Sequence, residues 1–332
     1  MRDREPGVNQ NSRLIVAINR PFLTPMTTRK TLLSTLLLTV FIATATAKDY
    51  HVYFLGGQSN MDGYGFVNEL PSEFAKPMPR VPIFHGNMGL DGKPVDGRGI
   101  WSPLQPGHGR NFKSDGKTNT YSDRFGVELS FARRLQTTYQ RQNIAIIKYS
   151  RGGTSIDADC PSADRFGCWE VVYDRGEGEG RGMNQFDHFL ATLQNARKIK
   201  DIDGDGEPDR LIPAGILWMQ GESDATGTLQ VAQEYGKNLT ELMTAIRDAF
   251  DAPAMPIIIG RITDWEVWTH GDVVRAQQAA FAAKDPNAAL VTTTDSYGNS
   301  DKWHYDTAGY LDLGVQFADA IVHLRRKSLN DQ

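Results

Sequence analysis

The chain reads as an α/β protein, a three-layer α/β/α sandwich built around a five-stranded parallel sheet. Three observations predict it. Five short apolar runs rich in β-branched or aromatic residues recur at residues 51–55, 143–149, 214–219, 256–262 and 288–294. Amphipathic stretches of helical period alternate with them, which is the order of a sheet covered by helices. The runs are also almost continuously apolar, as in Ile257-Ile-Ile259, which suits strands buried on both faces.

The first run, His51-Val-Tyr-Phe-Leu55, leads directly into Gly56-Gly-Gln-Ser-Asn-Met-Asp-Gly-Tyr-Gly65. A serine on a tight glycine-rich turn at a strand's end can present an exposed hydroxyl. It can equally cap a short helix. Residues 71–119 are rich in Gly and Pro and are expected to form surface loops. Helices are then predicted at Gly126–Gln140, Phe186–Ile199, Val231–Phe250, Val273–Ala283 and Ala308–Leu329, each with apolar residues at three- and four-residue spacing.

Composition excludes several classes of function. The 332 residues are 40% hydrophobic and 23% charged with a net charge of −4, which is ordinary globular chemistry without a nucleic-acid footprint. Thr27-Thr-Arg-Lys30, the apolar Leu32–Ile42 and the small-residue Ala45-Thr-Ala47 form the three parts of a secretory signal peptide. Cleavage near Ala47 makes Lys48 the mature start, with Met26 an alternative point of initiation. Residues 1–47 are therefore set apart as extension and leader, and 48–332 as one domain. The apolar core is short for a membrane span and no cysteine follows the cleavage site, so no stable membrane anchor is expected. Cys160 and Cys168 are the only cysteines, and an exported chain would be expected to pair them.

In open α/β sheets the ligand site lies beyond the carboxyl ends of the strands. The five exits carry Gln58-Ser-Asn60, Ser150-Arg-Gly-Gly-Thr-Ser-Ile156, Gln220-Gly-Glu-Ser-Asp224, Arg261-Ile-Thr-Asp-Trp265, and Asp295 followed by Asp301-Lys-Trp-His304. Acyl transfer needs a nucleophile, a base, a group orienting the base, and donors for the oxyanion. Ser59 is the candidate nucleophile and His304 the base. Asp301, three residues before His304, is the candidate orienting carboxylate, with Asp295 and Asp306 as competitors. The backbone N–H of Ser59, that of Gly152 or Gly153, and the Gln220 amide are the candidate oxyanion donors.

Gly57-Gln-Ser-Asn-Met61, Gly152-Gly-Thr-Ser-Ile156, Trp218-Met-Gln-Gly-Glu-Ser-Asp224 and Asp301-Lys-Trp-His304 together resemble the ordered blocks of the SGNH hydrolase superfamily. More narrowly they are similar to its sialate O-acetylesterase and acetylxylan esterase branch, carbohydrate esterase family 6. Phe125-Gly-Val-Glu-Leu129 is similar to that branch's helix before the second strand. The resemblance implies a flavodoxin-like three-layer fold and a cofactor-free Ser-His-Asp esterase. Ser59, His304 and Asp301 then match the triad, and Gly152 the second-block glycine. Gln220 stands where the wider superfamily has an asparagine.

The expected activity is removal of acetyl groups from polysaccharide or sugar esters, acetylxylan first. A sialate O-acetylesterase, or an inactive carbohydrate-binding protein on the same fold, are the alternatives. Trp169, Trp265, Trp268 and Trp303 flank the site and offer sugar-stacking faces. Glu222, Trp265 and Trp303 are the candidate substrate contacts, and Arg151 and Arg261 could meet a substrate carboxylate. Asp201-Ile-Asp-Gly-Asp-Gly-Glu-Pro-Asp209 resembles a calcium loop, so Asp201, Asp203, Asp205, Glu207 and Asp209 are expected ligands of a structural calcium. Ile212 stands where such a loop carries its bidentate glutamate.

Overall fold

The computed structural model describes residues 47–88, 95–173 and 184–330. The expected extension and leader, residues 1–47, lie outside them except for Ala47. In chain order the strands are β1 (Asp49–Gly57), β2 (Gly65–Phe66), β3 (Met78–His85), β4 (Trp101–Leu104), β5 (Lys113–Ser114), β6 (Asn119–Thr120), β7 (Arg124–Phe125), β8 (Asn143–Ser150), β9 (Arg210–Met219), β10 (Ile257–Gly260) and β11 (Ala288–Val291). The helices are α1 (Ser59–Asp62), α2 (Glu128–Thr138), α3 (Ala163–Phe166), α4 (Gln185–Lys198), α5 (Glu222–Thr226), α6 (Leu229–Ala249), α7 (Gly271–Lys284) and α8 (Thr307–Asn330).

The main sheet runs β11-β10-β9-β1-β8-β3-β4. All of its neighbours are parallel except β3 and β4, which pair antiparallel. The five expected strands are present, and two more extend the sheet beyond β8. This corrects the strand number and the reading of residues 71–119 as loops only. The physical reason is proline. Pro79 and Pro82 interrupt β3, and Pro82 sits opposite Pro103 of β4, so neither segment shows an unbroken apolar run. Val81, Ile83 and Phe84 are nevertheless fully buried.

Adjacent residues of a strand point to opposite faces, and β1 shows how that builds three layers. Tyr53 packs edge-on against Phe131 of α2, whereas Phe54 packs against Phe189 of α4 and against Phe250 just beyond α6. α8 joins the first layer, its Arg325 donating to the Tyr53 hydroxyl. α4 and α6 are tied on the other by Arg197, which donates to the Ala249 carbonyl. The five expected helices stand within about three residues of their predicted bounds. α6 buries Val231, Tyr235, Leu239, Leu242, Met243 and Ile246 along one stripe, and Thr228 caps its first turn through Val231 N–H.

A buried ion pair lies in this core. The Lys148 ammonium on β8 donates its three hydrogens to Glu128 Oε2, the Asp62 carbonyl and the His108 carbonyl, each at 2.8 Å. Glu128 Oε1 accepts from Gly126 N–H at 2.9 Å. Both side chains are wholly buried, so each charge depends on the other. Lys148→Met is expected to cost about 3–5 kcal/mol by leaving Glu128 unpaired. Lys148→Met/Glu128→Gln should recover much of that loss in a denaturant melt. Equal midpoints for the single and double variants would show that the charges are independent.

Candidate active site

The three central strand exits are laced together before any functional side chain is placed. Gly57 has φ of +144°, and a Cβ there would stand 2.0 Å from the Met219 carbonyl, so only glycine fits. Gln58 N–H donates to that carbonyl at 2.9 Å, and Arg151 N–H donates to Gly57 O at 3.2 Å. The Gln58 side-chain oxygen accepts from Gly221 and Ser223 N–H groups. The chain then turns into α1, a single turn whose first residue is Ser59, 7% exposed.

His304 lies in the loop between β11 and α8. Its Nδ1 is 2.7 Å from Asp301 Oδ2 and 2.9 Å from Oδ1. Asp301 Oδ1 also accepts the backbone N–H groups of Trp303 and His304, so the loop folds around its own carboxylate. Burial pushes the Asp301 carboxyl up, but His304 and these donors outweigh it and hold the group below its usual range. Burial lowers the His304 imidazole below its ordinary value of 6.5, more than Asp301 raises it. At neutral pH the ring is uncharged, the state a base requires. The competitors are engaged elsewhere. Asp295 pairs with Arg261 and Arg275, and Asp306 accepts from Gly309 N–H in the first turn of α8.

Two residues carry the His304 loop to Ser59. Asn60 is buried, and its Nδ2 donates to Glu222 Oε1 at 2.7 Å and to the Trp303 carbonyl at 3.1 Å. Its Oδ1 accepts from the Tyr310 hydroxyl at 2.7 Å. Tyr64, two residues beyond α1, stacks on the His304 ring with centroids 3.5 Å apart and planes 8° apart. A Cβ on Gly152 would stand 3.2 Å from Ser59 Cβ and 3.7 Å from the Tyr64 hydroxyl. Gly152 thus lies against Ser59 and beside the Tyr64 hydroxyl, and the Tyr64 ring stacks on the His304 that Asp301 holds. The sequence offered no assignment for Asn60 or Tyr64; an amide next to the serine and an aromatic between two glycines were the available signals.

Other expected residues have different tasks. The Gln220 amide was expected to face the oxyanion. Instead its nitrogen donates to the Thr154 carbonyl at 3.1 Å and to Asp224 Oδ2 at 2.6 Å, and the residue is fully buried. The cause is Asp224, a buried carboxylate that needs donors and also takes the Ile156 and Asp157 N–H groups. Glu222 was expected to touch substrate but is buried behind Asn60, and burial lifts its carboxyl to about 7. Arg261 is held by Asp295 at 2.6 Å. Trp169 and Trp268 are core residues, and Trp265 packs edge-on against Tyr305. Trp303 is 47% exposed beside His304, with the Lys302 ammonium 5.7 Å from its ring centroid.

Cys160 and Cys168 are separate buried thiols rather than the expected disulfide. Cys160 Sγ is turned to Ser162 and the Ser223 carbonyl, and Cys168 packs with Ala163 and Tyr173. The acidic loop lies at the opposite end of the sheet, before β9. Carboxylate oxygens of Asp201, Asp203 and Asp209 come within 4.8 Å of one another. Asp205 and Asp203 both bind the Lys48 ammonium, and Asp201 accepts the N–H groups of Gly204, Asp205 and Gly206. The five-residue ligand set is therefore divided, and Glu207 is not part of the cluster. Among the described residues no helix is long and apolar enough to cross a membrane.

Residues 49–323 match the SASA family, described as carbohydrate esterase, sialic acid-specific acetylesterase. The chain is 25% identical over 199 residues to the probable carbohydrate esterase At4g34215 of Arabidopsis thaliana, a match covering 59% of this chain and 63% of that relative. It thus spans less than two thirds of that relative's length. The X-ray structure of the same Arabidopsis protein superposes with a TM-score of 0.58 at 22% identity, over 84% of this chain and 99% of that one. The carbohydrate acetylesterase XAC1771 from Xanthomonas citri superposes at 0.55 and 18% identity, over 82% of this chain and 56% of its own. NanS superposes at 0.55 and 16% identity, over 85% and 100% respectively. These likenesses show a shared fold. The family match runs from β1 into α8, through every exit described above, and the chain belongs to the sialic acid-specific acetylesterase family of carbohydrate esterases.

Proposed function

We propose that this carbohydrate esterase removes O-acetyl groups from sugars by a serine acyl-enzyme mechanism, after export and cleavage near Ala47. The observation that carries the mechanism is the His304–Asp301 pair, bound through Asn60 and Tyr64 to the turn bearing Ser59. Asp301 fixes the imidazole tautomer by taking the proton side of Nδ1, which leaves Nε2 as the base. Ser59 Oγ attacks the acetyl carbon while His304 accepts its proton. The carbonyl pair moves to oxygen, where the Ser59 and Gly152 N–H groups stabilise it. His304 then gives the proton to the departing sugar oxygen. Water repeats the sequence on the acetyl-enzyme and releases acetate.

Trp303 supplies an exposed ring beside the base for a sugar face. With Arg261 committed to Asp295, a neutral sugar such as acetylated xylan is the first reading of the substrate. The exposed Arg110 guanidinium, 5.0 Å from the Tyr64 ring, favours O-acetylated sialic acid as the second. Acetate release from the two substrates separates them, and a preference held by wild type but lost in Trp303→Ala supports the stacking role. The calcium expectation reduces to the Asp201/Asp203/Asp209 cluster. Binding heat and a chelator-sensitive melting temperature would support calcium there, and their absence would remove it.

Ser59→Ala is expected to lower kcat on a generic acetyl ester by on the order of 10⁴-fold or more. Retention of the wild-type rate would falsify the nucleophile assignment. Gly152→Ala brings a methyl group against Ser59 and should lower activity more than stability, read as kcat against melting temperature.

The base is active when neutral, so kcat/KM should rise with pH through an ionisation below 6.5 and stay flat through neutrality. Asp301→Asn removes the group that raises this pKa and orients the ring. The limb should move to lower pH while the plateau drops about 10²- to 10⁴-fold. A plateau left at the wild-type level would show that another group orients His304.

A further inference from the structure

With Gln220 bound to Thr154 and Asp224, the oxyanion has two backbone donors and no side-chain donor from the third exit. A different hydroxyl ends at the same place. Ser59 Cβ and Tyr64 Oη both lie within 3.7 Å of the point where a Gly152 Cβ would stand. Nucleophile, backbone donor and phenol therefore share one small volume. Tyr64 is fixed on several sides. Its ring lies flat on His304, its carbonyl accepts from Arg124 Nη1 at 2.6 Å, and the Arg110 guanidinium is 5.0 Å from the ring centroid. The backbone before it is also pinned, Gly63 O accepting from Arg110 N–H at 2.9 Å.

We propose that the Tyr64 hydroxyl is the third oxyanion donor of this enzyme, in the role expected of Gln220. The proposal rests on Ser59 being the nucleophile. As the Ser59 Oγ–carbon bond forms, the carbonyl electron pair moves to oxygen, and Tyr64 donates a hydrogen bond to it while keeping its own proton. When the intermediate collapses the pair returns, the carbon–sugar oxygen bond breaks, and the sugar leaves with the proton held by His304. Arg110, beside the phenol, polarises the O–H bond towards donation. Burial pushes the phenol up to about 12, so it remains a donor across the working range. Stacking on His304 and the neighbouring Arg110 side chain keep the hydroxyl in place.

Tyr64→Phe keeps the ring on His304 and removes only the O–H. It is expected to lower kcat by about 10²-fold with KM little changed, and to leave the acid limb of the pH profile and the melting temperature as in wild type. A phosphonate diester that phosphonylates Ser59, forming an Oγ–P bond and expelling its alkoxide or phenoxide, places the phosphoryl oxygen where the oxyanion forms, and its inactivation rate should fall by a similar factor. Tyr64→Leu, lacking the ring as well, should add a shift of the His304 limb. Assays are run at a temperature where circular dichroism shows each variant folded. Wild-type kcat and phosphonylation rate in Tyr64→Phe, alongside an inactive Ser59→Ala, would overturn the proposal and leave Tyr64 as a shelf for the base. Full turnover by Ser59→Ala would overturn the nucleophile reading, and this donor assignment with it.

Discussion

One amide side chain determines whether the parts of this site meet. Asn60 uses both hydrogens of Nδ2, on Glu222 and on the Trp303 carbonyl, and its oxygen accepts from Tyr310. Those partners come from the third strand exit, the His304 loop and α8. Among the described residues, no other side chain next to Ser59 reaches three such distant segments in so few bonds. The arrangement suits asparagine because two donors and an acceptor diverge from one short planar group. Aspartate would repel Glu222, and serine has a single hydrogen to give. Glu222 and Tyr310 are wholly buried, so losing either bond would leave a desolvated polar group behind.

Beneath that clasp lies a polar layer that is unusual for a fold with such apolar strands. Gln58 is bonded to the Gly221–Ser223 turn, Gln220 to Thr154 and Asp224, and Asp224 to the turn after Gly152–Gly153. Lys148, paired with Glu128, then donates to the Asp62 carbonyl at the end of α1. Polar groups in a low-dielectric interior are strong when paired and costly when not. Such a layer gives each loop one well-defined position. A catalytic arrangement needs that more than it needs raw stability, because small displacements of reacting groups cost rate steeply.

Strands β1, β8, β9, β10 and β11 were legible because each carries an unbroken apolar run of strand length. β3 and β4 were not, because Pro79, Pro82 and Pro103 break the pattern on which the reading rests. Ser59, Asp301 and His304 are candidates through their places after strands, a rule of topology rather than of side-chain contact. Gln220 shows where that reasoning ends. An amide at a strand exit can serve a substrate or a neighbouring carboxylate, and the choice was made by Asp224, four residues on and invisible as a partner until the turn is folded. Asn60 and Tyr64 needed the fold even more. Their partners are more than 160 residues away in Glu222, Trp303, Tyr310 and His304, and no local period encodes such a contact.

Burial also separates chemistry from recognition. Ser59, Asn60 and His304 are almost wholly enclosed and Gly152 is half-buried, whereas Trp303, Lys302 and Arg110 stand on the rim. A substitution among the enclosed groups disturbs several shared hydrogen bonds at once, so its effects do not stay local. The rim residues have few partners and can change with little consequence for the fold. Under the proposed mechanism the enclosed groups act on the acetyl group common to a neutral and an acidic sugar, which leaves discrimination between the two to the rim, where one aromatic face and two cations can be exchanged independently.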